Sequence, residues 1–304
     1  MSQFKSLSEL LRSNPTEQDC IKYLENIIWK GKPASPFDPT SKVYKCKKNR
    51  YKCKNTGKYF TVKSLTVFRN SKIKLLDWFW TLCYFSNKKG ISSCQIERYI
   101  GITQKSAWFA LHRLRATFNT SIFKTMLDGS VEIDETFIGG KNKNRHWNKK
   151  VPNSQGRSCK DKIPVWGAIE RSGNLIAKAV PNNQQGTLVP MVRNSVKAGS
   201  NIYSDELPAY EILNKWFNHE IVNHRIKQYE YVNGKVSTNT IESAWACLKR
   251  IYGTYHQVSK KHLSRYVDEF TFRFNTRKCK EQERFDLVLL SSVGKSLSYR
   301  ELII

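Results

Sequence analysis

The sequence predicts an α/β protein with a mixed sheet, preceded by a strongly basic N-terminal region. From residue 128 onward, short apolar runs of strand type alternate with helical segments, and breaks that contain Gly separate the first three runs. The basic region is predicted by charge, because residues 1–127 hold 24 Lys and Arg against 7 Asp and Glu. A chain of 304 residues suits two domains, or one large core with a smaller appendage.

The charge of the whole chain narrows the class of partner. There are 52 Lys and Arg against 25 Asp and Glu, which gives a formal net charge of +27. Such an excess favours binding to a polyanion, and nucleic acid is the usual one. An RNA-binding or ribosomal protein, or a protein on an anionic membrane surface, are the alternatives. Hydrophobic residues make up 39% of the chain, which is enough for a core and argues against wholesale disorder.

The cysteines and the hydropathy indicate the compartment. Eight Cys residues follow no repeating spacing, and several fall in apolar helical runs, so we expect free thiols in a reducing environment. The sequence shows no charged-then-apolar leader and no run of about 18 apolar residues that could cross a bilayer. We therefore expect a soluble, cytoplasmic and nucleoid-associated protein with no membrane partner.

The first 70 residues are expected to hold a short amphipathic helix and a small β region. Segment 42–69 alternates β-branched or aromatic residues with Lys and Arg, which predicts two or three short strands. Strands of this composition would present basic and aromatic side chains outward together.

Residues 71–127 are predicted to be helical, with two helices joined by a short turn. Ser92 or Ser93 can cap the first helix, Gly101 can end it, and Thr103 can cap the second. This is the pattern of a helix-turn-helix, although an ordinary helical hairpin shows the same pattern. On the helix-turn-helix interpretation, five side chains would be available to DNA: Gln104, Lys105, His112, Arg113 and Arg115.

Residues 128–277 form the predicted body of the protein. Three strand-type runs come first, GSVEIDETFIGG, KIPVWGAIER and GNLIAKAVPN, and they suit a meander. The elements expected next are a helix at 184–197, a strand at 201–205, a helix at 208–217, a strand at 219–224 and the helix that contains Glu242. Three strands followed by alternating helices and strands is the order of an RNase H-like mixed sheet.

Two further segments belong to this part of the chain. The loop 141–163 is rich in Lys, Asn and Ser, and is either a solvated insertion or a clamp on DNA. A helix is expected at 259–277, and residues 278–304 are predicted to be a C-terminal tail.

Three acidic residues carry most of the chemical information. Asp134 and Asp205 each end a strand-type run, and Glu242 lies on a strongly helical stretch. Lys249 follows Glu242 by two helical turns, which places the two side chains within about 20° of each other on one helix face. Carboxylates from two strands and a helix can converge and hold hard divalent cations by oxygen. Taken alone, each acid has an ordinary explanation as a turn former or as a first-turn helix residue.

Four stretches of the chain carry distinctive motifs: VEIDETFIGGKNKNRHWNKK, YSDELPAY, STNTIESAW followed by LKR, and GTYHQVSKKHLSRYVDEFTFRFNTRK. Together they resemble insertion-sequence transposases of the ISXO type, a branch of the DDE transposases with an RNase H-like core. The resemblance covers nearly the whole chain, and it implies Asp134, Asp205 and Glu242 as the acidic triad. Some relatives use Asn as the third ligand, so Asn239 is an alternative to Glu242.

The resemblance also implies a mechanism. Two Mg²⁺ ions, or Mn²⁺ as a substitute, would be bound by the triad, and Lys249 and Arg250 would contact DNA. The implied enzyme binds the terminal inverted repeats of its element through the N-terminal region. It then cleaves DNA by phosphodiester hydrolysis and joins the 3′ ends to target DNA by transesterification, as a homo-oligomer on DNA. Two alternatives remain open: a decayed transposase that only binds DNA, and an RNase H-like nuclease without strand transfer.

The sequence departs from the family pattern in its N-terminal zinc ribbon. Relatives carry cysteines in the frames CPxCGS and YKCxxCGKxF. Here Ser35, Asp38 and Thr56 stand at three of the four positions, and Cys53 stands at the fourth. Because a tetrahedral zinc site needs four soft or borderline ligands, we expect a degenerate ribbon-like β region with no structural zinc, held by packing or partly disordered.

Overall fold

The computed structural model describes residues 9, 12–13, 15–118, 125–140, 142–154, 158–171, 173–222 and 237–303. The chain divides into two compact units. The first unit consists of residues 1–120 and 276–304, and the second unit of residues 121–275. The segment predicted as a C-terminal tail thus belongs to the first unit. None of the described helices is long and apolar enough to cross a membrane.

The elements are numbered in chain order. The α-helices are α1 (Glu17–Trp29), α2 (Leu75–Phe85), α3 (Ser93–Ile100), α4 (Gln104–Arg115), α5 (Gln185–Ser195), α6 (Asn239–Lys249), α7 (Ile251–Tyr255), α8 (Leu263–Asn275), α9 (Glu281–Ser291) and α10 (Tyr299–Ile303). The strands are β1 (Val43–Cys46), β2 (Arg50–Cys53), β3 (Tyr59–Phe60), β4 (Ser130–Ile138), β5 (Ile163–Glu170), β6 (Leu175–Ala179), β7 (Asn201–Ser204) and β8 (Asn218–Ile221). A 3₁₀ helix spans Pro208–Lys215.

Helix α9 packs into the first unit through aromatic side chains. The ring of Phe285 lies 6.2 Å from that of Tyr23 on α1 and 5.3 Å from that of Phe79 on α2. The Tyr23 hydroxyl also donates a hydrogen bond of 2.6 Å to Asp286. Because Phe285 is buried, exposing it would cost about 1.5–3 kcal/mol. This cost explains why the segment that contains α9 packs against α1 and α2 and does not extend into solvent as a tail.

The first unit contains an antiparallel sheet in the order β1-β2-β3, which confirms the strands expected in 42–69. Its inner face buries Tyr51, Cys53 and Phe60, and Trp29 at the end of α1 packs against them. This aromatic cluster is the core of the ribbon-like region. Helices α3 and α4 are capped as expected, by Ser92 and Thr103, and Gly101 ends α3 with a φ of +80°.

The second unit is built on a five-stranded sheet in the order β6-β5-β4-β7-β8. Strands β4, β5 and β6 pair antiparallel in succession, so the predicted meander is confirmed. Strand β7 pairs parallel with β4, and β8 pairs parallel with β7. Helix α5 and the 3₁₀ helix cover one face of this sheet, and α6 and α8 cover the other. Residues 223–236, which include the expected end of the strand at 219–224, lie outside the described residues.

One expectation about the first strand is wrong. The strand-type run was expected to end at Asp134, but β4 continues to Ile138 and is paired with β5 over its last eight residues. Asp134 is therefore a mid-strand residue and not a turn former. Asp205, in contrast, directly follows β7 as expected.

Candidate acidic active site

The alternation of side chains along β4 decides which residues face helix α6. Val131 and Ile133 point into the hydrophobic cluster under α5. Glu132 and Asp134 point to the opposite face, because successive side chains of a strand alternate. Glu135 returns to the first face, where it accepts a hydrogen bond from the hydroxyl of Tyr210. Glu135 therefore points away from Asp134, as the alternation along a strand requires.

Asp134 is oriented by a tryptophan on α6. The indole Nε1 of Trp245 donates a hydrogen bond of 3.0 Å to Asp134 Oδ2. The indole can approach the sheet closely because Gly167, which has no side chain, pairs with Asp134 in the register of β4 and β5. A Cβ at Gly167 would lie only 2.4 Å from Cη2 of the Trp245 ring. A glycine on the neighbouring strand thus allows the contact that fixes Asp134.

Glu132 joins the same strand to the start of α6. Its buried carboxylate accepts hydrogen bonds from the backbone N–H groups of Thr240 at 2.8 Å and Ile241 at 3.0 Å. It also accepts from the Thr240 hydroxyl at 3.0 Å and from Arg171 Nε at 3.0 Å. A carboxylate at this place satisfies N–H groups that a helix leaves unpaired and interacts favourably with the helix dipole. The strand that carries Asp134 is therefore tied to the helix that carries Glu242.

The second aspartate reaches the site from β7. The parallel register pairs Glu132 with Tyr203, so Asp205, two residues further along, comes alongside Asp134. Asp205 is buried, and its Oδ1 accepts a hydrogen bond of 3.2 Å from the backbone N–H of Leu207. This bond holds the Asp205 carboxylate at the end of its strand.

Glu242 lies on the exposed side of the first turn of α6. Its Oε1 accepts a hydrogen bond of 3.3 Å from the Thr238 hydroxyl. Lys249 is exposed on the same side of this helix, two turns on, whereas Trp245 and Leu248 face the core. The shared face predicted for Glu242 and Lys249 therefore agrees with the burial pattern of α6.

The pKa of Asp134 responds to both of the other acids. Burial raises the pKa of Asp134 most, and the negative charge of Asp205 raises it further. Hydrogen bonds from the Glu135 backbone and from Trp245 act in the opposite direction, and the charge of Glu242 again raises it. The result is a pKa of about 7 in place of 3.8. A raised pKa of this kind arises where a carboxyl group is shielded from water and lies near other negative charges.

The described residues do not form a finished metal site. Among them, no three His, Cys, Asp or Glu side chains lie close enough together to hold a metal ion as they stand. Asn239 and Arg250, at the two ends of α6, are both exposed. Asp205 and Glu242 are therefore near enough to raise the pKa of Asp134, but the three acids are not drawn together around one point.

The DNA-binding side chains expected on α4 fall into two groups. Gln104 and Lys105 are exposed at its first turn, and the Gln104 amide also donates to Ser93 on α3 at 2.8 Å. The expectation that the remaining three would be accessible is wrong, because α4 is enclosed over its last turn. His112, Arg113 and Arg115 are all buried there.

Arg113 shows why these three side chains are not available to DNA. Its guanidinium donates to the backbone carbonyl of Arg69 and lies 5.4 Å from the ring centre of Phe109. Burial lowers the pKa of Arg113. The long stem and planar head of this arginine serve packing within the first unit, which charge counting along the sequence cannot reveal.

Three of the four positions of the degenerate zinc ribbon remain in contact, since Ser35 and Thr56 both contact Cys53. Burial raises the pKa of the Cys53 thiol, but hydrogen bonds from Ser35, Ser41 and Thr56 outweigh it and lower the pKa to about 6. The Asp38 carboxylate is engaged elsewhere, by the side chains of Thr40 and Asn55. A cluster of hydroxyl groups around one thiol thus stands at the place of the expected ligands. The expected lack of a structural zinc stays a prediction.

Comparisons with known proteins place the chain among proteins of mobile DNA elements. It is 27% identical over 236 residues to an uncharacterized protein in transposable element ISH50 of Halobacterium salinarum, covering 74% of this chain and 78% of that protein. It is 33% identical over 107 residues to an uncharacterized transposase-like protein of Haemophilus influenzae, covering 34% of this chain and 82% of that protein. The ISXO2-like transposase domain matches residues 126–275. The chain therefore belongs to the insertion-sequence transposases.

A structural comparison adds little to this assignment. The crystal structure of a pre-cleavage Mos1 transpososome matches over 95% of this chain and 96% of that chain, with 13% identity and a TM-score of 0.19. A likeness of this size carries no argument about the fold.

Three residues around the acids were missed by sequence reasoning: Glu132, Gly167 and Trp245. Only Trp245 had a signal, because it belongs to the stretch TNTIESAW and follows Glu242 by three positions on one helix. Glu132 reads as one more polar residue of an alternating strand, and Gly167 reads as a break.

Proposed function

We propose that Asp134, Asp205 and Glu242 form the active site of a metal-dependent transposase. It cleaves DNA at the ends of an insertion sequence and joins these ends to target DNA. The observation that carries the proposal is the placement of the acids: Asp134 lies on β4, Asp205 directly follows the adjacent parallel strand β7, and Glu242 lies on α6, whose Trp245 binds Asp134. In agreement with this placement, burial and the charges of the two other acids raise the pKa of Asp134 to about 7. Such a carboxylate is poorly stabilised without a cation, so binding of a divalent metal would relieve the repulsion and release the proton.

The donor set fits Mg²⁺, with Mn²⁺ as a substitute. All three residues offer hard carboxylate oxygens, which are the ligands that Mg²⁺ prefers. Two bound ions would supply activation of the attacking hydroxyl group and stabilisation of the leaving oxygen. The hydrogen bond from Trp245 to Asp134 Oδ2 leaves acceptor capacity on this carboxylate for a cation. Glu242 is exposed, and it is the member whose side chain would swing inward.

The chain's own residues would prepare the site for the phosphodiester. Trp245 would hold Asp134 in one orientation, and Glu132 would keep the first turn of α6 against β4. Lys249, on the same face of α6 as Glu242, would bind a phosphate of the DNA end, and the guanidinium of Arg250 would add a second positive charge toward the DNA.

The sheet of the second unit supports the RNase H-like interpretation. Three antiparallel strands in meander order, followed by two parallel strands on the far side of β4, give the order expected for this core. Asp134 then lies on β4, Asp205 directly follows the adjacent parallel strand β7, and Glu242 comes from a helix packed on the sheet.

Recognition of the terminal inverted repeats is proposed for the first unit. Gln104 and Lys105 are exposed at the start of α4, where the second helix of a helix-turn-helix contacts base edges. A homo-oligomer on DNA would bring two ends of the element together.

A strand-transfer assay tests the proposal. The protein is incubated with DNA that carries the ends of its element, with target DNA, and with Mg²⁺ or Mn²⁺. We expect cleaved ends joined to target for the wild type, and none for Asp205→Ala. Glu206→Gln is the matched control, because Glu206 is adjacent in sequence but exposed.

The products separate the proposal from its alternatives. Cleavage without joined ends would indicate a nuclease. Binding without cleavage in every variant would indicate a decayed transposase that retains only DNA binding. Activity that survives in Asp205→Ala would remove this residue from the site.

A further inference from the structure

The outward face of the sheet β1-β2-β3 combines aromatic rings with cations in an ordered row. Tyr44 pairs with Lys52, and Lys52 pairs with Tyr59, so these three residues cross the three strands side by side. Residues directly opposite in antiparallel strands share one face of the sheet. Arg50 lies on the same face, two residues before Lys52. We call Tyr44, Arg50, Lys52 and Tyr59 the outer sheet face.

The core of the region does not account for these side chains. The inner face already buries Tyr51, Cys53 and Phe60. Tyr44 and Tyr59, in contrast, are 43% and 50% exposed. Large rings that a fold leaves in water, in a row rather than singly, are typical of a binding surface.

Cations surround these rings. The guanidinium of Arg50 lies 4.5 Å from the ring centre of Tyr59, and the ammonium of Lys52 lies 5.6 Å from it. Lys42 lies 5.6 Å from the ring centre of Tyr44. Residues 42–63 contain nine Lys and Arg and no Asp or Glu. A sheet of this composition repels like copies and attracts a polyanion.

The shape of the outer sheet face favours single-stranded over duplex nucleic acid. The grooves of duplex DNA are entered by a protruding helix, ribbon or arm, whereas a flat sheet with exposed rings offers stacking surfaces to bases that are already unstacked. Grooves that combine cations for the backbone with aromatic rings for the bases bind single strands with little sequence preference.

We propose that the outer sheet face binds single-stranded DNA, with Tyr44 and Tyr59 stacking on bases and Arg50 and Lys52 contacting phosphates. The choice of DNA rests on the proposed function, since unpaired DNA arises where an end is opened or nicked. The binding itself needs neither the acidic site nor a metal. It can therefore fail or succeed independently of cleavage.

Binding is measured with the full chain in EDTA, by fluorescence anisotropy of labelled oligonucleotides of about 20 nucleotides, slightly longer than one typical binding site. The probes are a mixed-sequence single strand, the same sequence as a duplex, and the same sequence as RNA. We expect Tyr44→Ala and Tyr59→Ala each to weaken single-strand binding about tenfold. Duplex binding should remain within about twofold of wild type, because a duplex offers no free base to stack.

The cations are tested by salt dependence. Replacing both Arg50 and Lys52 by Gln should reduce the slope of log affinity against log salt by about 1.4 for the single strand. The matched control replaces Lys178 and Lys215, two exposed lysines of the second unit, and should leave single-strand binding near wild type. Tyr99→Ala is the control for an exposed ring elsewhere in the first unit, since Tyr99 is 59% exposed.

Three results would overturn the proposal. The first is unchanged single-strand binding in folded tyrosine variants. The second is an equal loss of duplex and single-strand binding, which would make the face a simple electrostatic patch. The third is tighter binding of RNA than of DNA. If an alanine variant does not fold, Tyr59→Leu and the charge variants answer the same question.

Discussion

Glu132 is the residue whose removal should most disturb the acidic site without touching substrate. Its buried carboxylate accepts four hydrogen bonds, two of them from the backbone at the start of α6. Hydrogen bonds to a charged group contribute about 1.5–3 kcal/mol each, but they are not additive. Breaking a buried ion pair by removing one partner costs about 3–5 kcal/mol, and we expect Glu132→Ala to lower the free energy of unfolding by this amount. Glu132→Gln keeps the shape and one acceptor oxygen, so about 2 kcal/mol is expected.

The assay combines urea unfolding with hydrogen exchange of the peptide 237–250. In Glu132→Ala the amides of Thr240 and Ile241 lose their acceptor, so the first turn of α6 should exchange faster than in the wild type. Glu220→Ala is the control, because Glu220 is an exposed carboxylate on β8 of the same sheet. An alanine variant as stable as the wild type, or one that loses stability with unchanged exchange at the start of α6, would refute the reasoning.

Three further outcomes are expected. Folding raises the pKa of Asp134 from 3.8 to about 7, so its contribution to stability is full below pH 3.8 and is lost as the pH rises to 7. Asp134→Asn should therefore unfold at a higher temperature than the wild type above pH 7 and at a similar one near pH 4; equal melting at both pH values would contradict this. Gly167→Ala should displace Trp245, costing about 1–3 kcal/mol in denaturant unfolding, whereas Gly186→Ala should not destabilise, since nothing lies near its Cβ. Elemental analysis of the purified protein should find far less than one zinc per chain, and near one equivalent would reverse our interpretation of residues 33–60.

The sequence was most informative where local rules decide the structure. Caps at Ser92, Gly101 and Thr103 set the bounds of α3 and the start of α4, and the alternation in 42–69 predicted the small sheet. These features depend on neighbours in sequence, so no knowledge of the tertiary fold is needed to find them.

The sequence was least informative where burial comes from distant segments. His112, Arg113 and Arg115 carry the residue types of a DNA-binding helix, yet the first unit encloses them. Similarly, the run 129–140 is of strand type on both sides of Asp134, but where the strand ends is decided by its pairing with β5, which is a long-range interaction. Charge and turn propensity are weak guides when packing of this kind overrides them.

The same long-range contacts explain how an unfavourable group of charges can be kept in a folded protein. Carboxylates near one another repel, and burial of Asp134 increases the cost. The structure opposes this repulsion from both sides: Trp245 binds Asp134 directly, and Glu132 anchors the first turn of the helix that carries Glu242. Glu132 is itself an acid on the same strand, but its charge is matched by Arg171 and by the end of a helix. Two carboxylates on one face of β4 therefore differ in their surroundings. Glu132 is paired with positive groups and stabilises the fold, whereas Asp134 lies near two other acids and has less positive charge around it.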